Sequence, residues 1–422
     1  MGSLFAELAR KAAMNARREV ETYAREIPEF ALLDANPRAR AETLEYAVWL
    51  RHRTNELAPT NSALTDADLD CIASMGEARG GTGLSLDSRQ RILRLHTALM
   101  LREINEATDA QRGGDAEELL RMMSWFAPQG ERGIGAYRRG FVTALRRRLP
   151  YGEQVALLTR SLLTADAMAA ELAASVGMEL PERCAVTVIR APDRPTGDHD
   201  LDHEIEALAK THQVPLMWCP QPATATATDT GPGTGNGRSN GRGGELIALI
   251  PLPPGPHNLV PDPLTPTPLV HDLVHDFAQT LGRPCAAGTA TAPLSDLADA
   301  LDRARRISRA APLRRAPAPL EAHTMADVFV ELATADIPHV DDWLRAVARR
   351  LDPGPDLVAT LDAYYRHDMN RATTAAALNV HPRTLDYRLR RVRELTGIPP
   401  TSTRGVRILS AVVTRRLSGA WP

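Results

Sequence analysis

Lysine is nearly missing from this 422-residue chain. Only Lys11 and Lys210 occur, so 48 of the 50 basic residues are arginine. Together with abundant Ala and Pro, this is the bias of a GC-rich coding sequence, and it weakens any inference from Arg standing where Lys would serve. Four cysteines, Cys71, Cys184, Cys219 and Cys285, lie far apart with no CxxC pair. A disulfide scaffold and a zinc ribbon are therefore excluded, and reduced thiols are expected. Aromatics make up only 4%. No stretch approaches 18 apolar residues, and the N-terminal segment is charged and helix-periodic, without the apolar core of a signal peptide. A cytoplasmic protein without membrane segments is expected. Excess charge of one sign is also missing. The formal balance is -2, which excludes a chain that is basic throughout and coats nucleic acid.

What is present suffices for several cores. Hydrophobic residues reach 43%, and the length exceeds what one compact core holds, so a multidomain, mainly α protein is expected. Residues 1–176 read as an all-helical sensor or oligomerisation domain. Leu4, Leu8 and Ala12 share a face of a helix that Ile27-Pro28 ends. A second helix is expected over Ala39–Leu57, with Leu44, Val48 and Leu57 inward. After a Gly-rich break at Gly80–Gly83, further helices are expected over Ser88–Ala107, Glu117–Phe126 and Ile134–Leu149. Gly113-Gly114 and Gly130 are the expected breakers. Val155–Val176 reads as one more apolar helix. Trp49, Trp125 and Phe126 read as core, ahead of the alternative that they line an effector pocket.

The texture changes at Pro181. Strands are expected at Cys184–Ile189, Val214–Trp218, Glu245–Leu252 and near Cys285–Thr291. Helices are expected over His203–His212, Leu269–Leu281 and Leu294–Ala310. This alternation makes residues 181–311 an α/β domain. The Ala/Thr and Gly/Asn/Ser stretch 220–244 reads as a flexible loop. Residues 320–355 carry two short helices, a connector after the Pro/Arg stretch 312–319.

Charge is not spread evenly. The last 67 residues, 356–422, hold 11 Arg against 5 acids, a net +6, while the first 355 hold 39 basic against 47 acidic residues, a net -8. The basic module carries the sharpest pattern in the chain. A helix over Leu357–His367 presents Leu357, Leu361 and Tyr364/Tyr365. Asn370 is placed to cap a short Ala-rich helix, Arg371–Leu378. Asn379-Val380-His381 makes a tight turn, with Val380 as the corner plug. Pro382 opens the next helix, Pro382–Thr396, which buries Leu385, Leu389 and Val392 and ends at Gly397. Short helix, turn and second helix are the layout of a helix-turn-helix (HTH). The exposed face of the second helix would carry Arg383, Thr384, Tyr387, Arg388, Arg390 and Arg391. Guanidinium forks suit phosphates and the guanine edge. Asp386 reads as the i,i+4 partner of Arg390.

The string Asn370–Ile398 (NRATTAAALNVHPRTLDYRLRRVRELTGI) resembles the C-terminal HTH of PucR/CdaR-type bacterial transcription regulators. The matching features are Asn370, Ala375, Leu378, Val380-His381, Thr384-Leu385, Tyr387-Arg388-Leu389 and Leu395-Thr396-Gly397. Arg383 and Asp386 depart from the family pattern, which bears on sequence preference and not on fold. The resemblance implies a degenerate GGDEF-like domain at 181–311 and a helical sensor domain before it. It implies double-stranded DNA as partner, read by Asn370, Thr373, His381, Arg383, Thr384, Tyr387, Arg388, Arg390 and Arg391. A single short HTH reads few base pairs, so a homodimer or higher homo-oligomer is expected, modulated by a signal such as a small-molecule effector.

Catalytic chemistry is not expected. His199-x3-His203 and His271-x3-His275 each put two imidazoles on one helical face, but neither has the HExxH glutamate or a Cys partner, so no metal is expected. An active cyclase of the GGDEF kind needs a Gly-Gly-acid-Glu-Phe hairpin, and Gly243-Gly244-Glu245-Leu246 lacks the second acid and the aromatic. Gly80–Gly83 is no P-loop, and no cofactor is expected. The sequence is also compatible with two rival readings. One is a metal- or nucleotide-dependent enzyme on the central domain, and the other is a signalling scaffold using the N-terminal helices.

Overall fold

The computed structural model describes residues 3–110, 116–192, 201–220, 243–253, 265–315 and 320–421. The chain divides into two compact units, Met1–Pro150 and Tyr151–Pro422. No helix among the described residues is long and apolar enough to cross a membrane.

The first unit is all helical: α1 (Leu4–Glu26), α2 (Pro28–Asp34), α3 (Pro37–Leu57), α4 (Asp66–Gly81), α5 (Leu86–Ala110) and α6 (Ala116–Arg148). The amphipathic face of α1 is as expected, with Leu4, Leu8 and Ala12 buried. Two expectations fail here. The inward stripe of α3 is Thr43, Ala47, Arg51, Thr54 and Leu57, while Leu44 and Val48 are only half-buried. A stripe that carries polar residues does not announce itself by apolar periodicity. Second, α6 is one helix that runs through the expected breaker Gly130 and through Pro128 as well, so tertiary packing overrides the local preference of both residues. The chain does break at Gly80–Gly83 as expected, where Gly83 takes a φ of 84° just after Gly81, the last residue of α4. Thr65 and Asp68 form a capping box at the start of α4.

Glycine in α4 and α6 serves close approach. A Cβ on Gly76 would collide with the Tyr137 carbonyl, and one on Gly140 with the Ala73 carbonyl. The two backbones therefore touch where side chains would otherwise hold helices ~8–10 Å apart. Gly140→Ala is expected to cost about 1–3 kcal/mol by overpacking, seen as a lower urea midpoint. Gly130→Ala is the control, because its added Cβ meets nothing within 4 Å and alanine is the better helix former. Trp125 is buried and donates its indole N–H to the Ser62 carbonyl at 2.6 Å. Phe126 and Trp49 are half-buried.

Charged side chains lie inside this unit. Arg51 sits between Glu19 and Glu103, at 2.6 Å from each, and all three side chains are at most 4% exposed. His96 Nδ1 lies 2.7 Å from Glu19, and the Tyr23 hydroxyl donates to the same carboxylate.

The second unit opens with α7 (Tyr151–Leu163) and α8 (Ala169–Val176). The single helix expected over Val155–Val176 is broken between them. Ala165 adopts a left-handed φ of 51°, and the Asp166 side chain accepts from the Met168 N–H at 2.9 Å. There follow β1 (Arg183–Ala191), α9 (Leu201–His212), β2 (Leu216–Pro220), β3 (Gly244–Pro251), α10 (Pro268–Leu281), β4 (Ala286–Pro293) and α11 (Leu297–Ala310). Then come the two-residue β5 (Ala322–His323), α12 (Met325–Ala335) and α13 (Pro338–Arg349), before α14 (Leu357–Arg366), α15 (Arg371–Ala377), α16 (Pro382–Thr396) and α17 (Thr403–Leu417). The expected loop at 220–244 falls mostly on residues 221–242, which lie outside the described residues.

The described strands form one sheet of order β2-β3-β1-β4-β5. The pairs β1–β3, β1–β4 and β2–β3 are antiparallel, and β4–β5 is parallel. The sequence β1-α9-β2-β3-α10-β4 in this order is a β-α-β-β-α-β arrangement, a split βαβ pair. Seven of the nine β1 residues are buried, so the central strand is covered on both faces. Helix α11 packs on β4 and β1, and α7 on β2. Gly288 allows β4 to approach the Ser308 backbone of α11.

Candidate nucleic-acid interface

Helices α14 to α17 close around one apolar cluster. Leu361, Tyr364, Ala375, Leu385, Leu389, Val392, Leu409 and Val412 are all buried in it, and Val380 packs against it from the turn. The expected burial of Leu385, Leu389 and Val392 is observed, at 0%, 6% and 0% exposure. Fully burying side chains of this size contributes about 1.5–3 kcal/mol each.

The turn is built by capping chemistry. The Asn370 side chain accepts from the N–H groups of Ala372 and Thr373, at 3.0 and 3.2 Å, and so starts α15. At the other end, Val380 N–H donates to the Ala375 carbonyl and Asn379 N–H to the Ala376 carbonyl, each at 3.0 Å. This is a Schellman motif, with Asn379 at a φ of 51° in the left-handed position. His381 then caps α16, its Nδ1 accepting from the Arg383 N–H at 3.2 Å. That bond requires Nδ1 to be the unprotonated ring nitrogen. Pro382 takes the first helical position and Gly397 ends the helix at a φ of 74°.

Of the nine residues expected to read DNA, seven are exposed, among them the two cap residues Asn370 and His381. Thr373, Arg383, Thr384, Tyr387 and Arg390 are exposed, and Arg391 is partly exposed and paired with Glu394 at 3.0 Å. Positions 383, 387, 390 and 391 repeat at helical spacing and share one face of α16. Tyr387 is 55% exposed, unusual for its size. Asn370 and His381 are committed to caps through their side chains. Arg388 turns inward. It is 15% exposed, donates to Thr360 Oγ1 at 3.2 Å and pairs with Asp356 at 3.0 Å, bracing α16 against the start of α14. Asp386 does not pair with Arg390. It lies 3.5 Å from Arg371, across the turn on α15. Arg390 and Arg383 make no ion pair among the described residues.

Several further cations of this module carry no distinguishing signal in the sequence. Arg371 joins α15 to α16, and Arg393, Arg404 and Arg407 are exposed. The +6 balance was the available signal, but a net charge does not say which arginines pair. Asn370→Ala is expected to remove about 1 kcal/mol from α15. Hydrogen exchange at Ala372 and Thr373 should then rise about fivefold, while Asn370→Ser, which keeps an acceptor, stays near the parent rate.

The module is fastened to the rest of its unit. Arg314 makes a two-pronged pair with Asp362 of α14, at 2.6 and 2.7 Å. The Leu313 N–H donates to the Leu417 carbonyl at 2.9 Å, and Arg190 of β1 donates to the Ser418 carbonyl at 2.9 Å. From α13, Asp341 accepts from Arg415 and from the Trp421 indole N–H, the latter at 2.9 Å.

Among the described residues, no three His, Cys, Asp or Glu side chains converge as a metal site. His271 and His275 are exposed on α10, while Asp276 bonds His212 Nε2 at 2.9 Å, linking α10 to α9. His199 lies outside the described residues. Glu245 opens β3 in a salt bridge to Arg305 at 2.9 Å.

The C-terminal module is thus a helix-turn-helix of the kind that binds DNA. The family model for the PucR C-terminal helix-turn-helix domain matches residues 357–412. Uncharacterized proteins of Mycobacterium tuberculosis and Mycobacterium bovis are 34% identical over 163 residues, 37% of this chain. The chain spans 37% of the length of these curated relatives. A solved regulator of polyketide synthase expression from Bifidobacterium adolescentis aligns over 65% of this chain and 98% of its own. Its identity of 16% and TM-score of 0.22 are too low to specify fold or function.

Proposed function

We propose that the protein is a cytoplasmic transcription regulator of the PucR/CdaR type. Helix α16 enters the major groove of double-stranded DNA. The observation that carries this reading is the face formed by Arg383, Thr384, Tyr387 and Arg390. These side chains are exposed on a helix whose turn and caps are fixed. Arg383 and Thr384 lie in the first turn, the part of a recognition helix that meets base edges. Arg390 and Arg391, farther along, suit phosphates. Thr373 at the start of α15 is in reach of the flanking backbone. Asn370, His381 and Arg388 support this surface by holding it in shape.

The central domain is proposed to be a degenerate GGDEF-like domain without cyclase activity. Its β-α-β-β-α-β order supports this, as does the engagement of Glu245 by Arg305. The helical N-terminal unit or the central domain would sense a small-molecule signal, and the protein would act as a homodimer or higher oligomer on paired half-sites.

The test uses the full chain and the DNA upstream of its own gene, followed by fluorescence polarisation across a salt series. Saturable binding is expected, with a preference of 10³ or more over random duplex and a log–log salt slope of several units. Equal, weak affinity for all duplexes would end the reading.

A further inference from the structure

A cavity of about 290 Å³ lies between α13 and the corner joining α16 to α17. Trp343 and Val347 border it from one face of α13, Arg350 from the C-cap of that helix, and Ile398, Arg404 and Ile408 from the other side. Trp343 is 48% exposed, a large indole left facing solvent next to a well-filled core. Its floor is apolar, and its polar groups have one character. The two bordering hydroxyls are spent within their own turns, Thr396 donating to the Val392 carbonyl at 2.7 Å and Ser402 to the Pro399 carbonyl at 2.9 Å. The side-chain groups left are the guanidinium groups of Arg350 and Arg404 and the indole N–H, all donors. Neither arginine makes an ion pair among the described residues, and no carboxylate borders the space.

We infer that this cleft binds a small aromatic carboxylate. Two guanidinium forks above an apolar floor suit a carboxylate, and an indole face suits an aromatic ring. The volume lies at the lower limit of ligand pockets, enough for roughly ten to fifteen non-hydrogen atoms. A DNA phosphate is the rival occupant. Gly397, at the cleft, is fourteen residues beyond Arg383, or about 21 Å along α16 at 1.5 Å per residue. The cleft thus sits at the end of α16 opposite the first turn proposed to meet bases. A ligand here would clamp α13 to the α16–α17 corner. Its regulatory meaning rests on the transcription-regulator reading, but its existence does not.

The experiment titrates the full chain, free of DNA, with phenylacetate, its neutral amide phenylacetamide, and acetate, by calorimetry or ligand-observed NMR. Phenylacetate is expected to saturate. The amide and acetate should each bind at least about tenfold more weakly, the loss of one charge-assisted contact or of the ring. Arg350→Ala and Arg404→Ala should each weaken phenylacetate about tenfold, Trp343→Ala similarly, and Trp343→Phe little, with circular dichroism unchanged throughout. No saturation up to roughly 10 mM would overturn the inference. So would equal binding of acid and amide, or an Arg350→Ala/Arg404→Ala double variant that binds like the parent. If the arginine variants instead lower DNA affinity and salt slope while phenylacetate binding stays unchanged, they contact DNA and the inference falls. DNA binding is read separately, so its failure leaves the ligand result standing, and the reverse also holds.

Discussion

Arg51→Ala is expected to destabilise the N-terminal unit by about 3–5 kcal/mol, the cost of breaking a buried ion pair from one side. The guanidinium group lies between Glu19 and Glu103, and its Nε also reaches Glu103 at 3.0 Å. Removing it strands two carboxylates that water scarcely reaches, along with a volume of side chain. Urea unfolding of the full chain, followed in the transition of this unit, measures the loss. Combining Arg51→Met with Glu19→Gln and Glu103→Gln should recover much of it, because no buried charge is then left unmatched. A cost below ~1 kcal/mol would mean that these charges are solvated in solution. Acid should act on the same cluster. Burial alone would raise the Glu19 carboxyl, but His96 and Arg51 outweigh it and hold the group down at about 2. Its folded value lies below its unfolded one, so its stabilising contribution is complete above pH ~4.5 and is lost as pH falls toward 2.

The double variant Arg383→Ala/Arg390→Ala is expected to lower operator affinity by about 1–3 kcal/mol for the base contact of Arg383, with a further, salt-dependent loss for the phosphate contact of Arg390. The two losses should differ in kind. Arg383→Ala should relax preference at one operator position, and Arg390→Ala should weaken all duplexes alike and reduce the salt slope by about one unit. Arg388→Ala gives a different signature. Because it braces α16 against Thr360 and Asp356, its effect should show first in thermal stability, with the salt slope unchanged. If Arg388→Ala alters the slope as Arg390→Ala does, its inward placement does not persist in the complex.

The C-terminal module was legible because local signals agreed there. A cap residue, a proline at the first helical position, apolar spacing and a terminal glycine all indicated the same helix, Pro382–Thr396. Side-chain direction was less legible. Arg388 and Arg390 look alike in sequence, and only the position of Asp356 and Thr360, some thirty residues upstream, turns one inward. In the N-terminal unit, the α3 stripe escaped notice because Thr43, Arg51 and Thr54 are polar yet buried. The α4–α6 contact had no signal in the sequence, because nothing in the local pattern marks Gly76 and Gly140 as the places where a missing Cβ lets the helices meet. Gly130 misled in the opposite sense, since a long packed helix tolerates it together with Pro128.

The pair between Arg314 and Asp362 has a mechanical consequence. A reading head on a slack tether can swivel, so the separation of two target sites may vary at little cost. Here the chain entering the head is pinned to it, and Leu313 and Arg190 grip its last helix. Two such heads would behave as the fixed jaws of a caliper. Inserting five base pairs between half-sites, which turns one through half a helical revolution, should then abolish joint binding, and ten should restore only what the gap between the jaws allows.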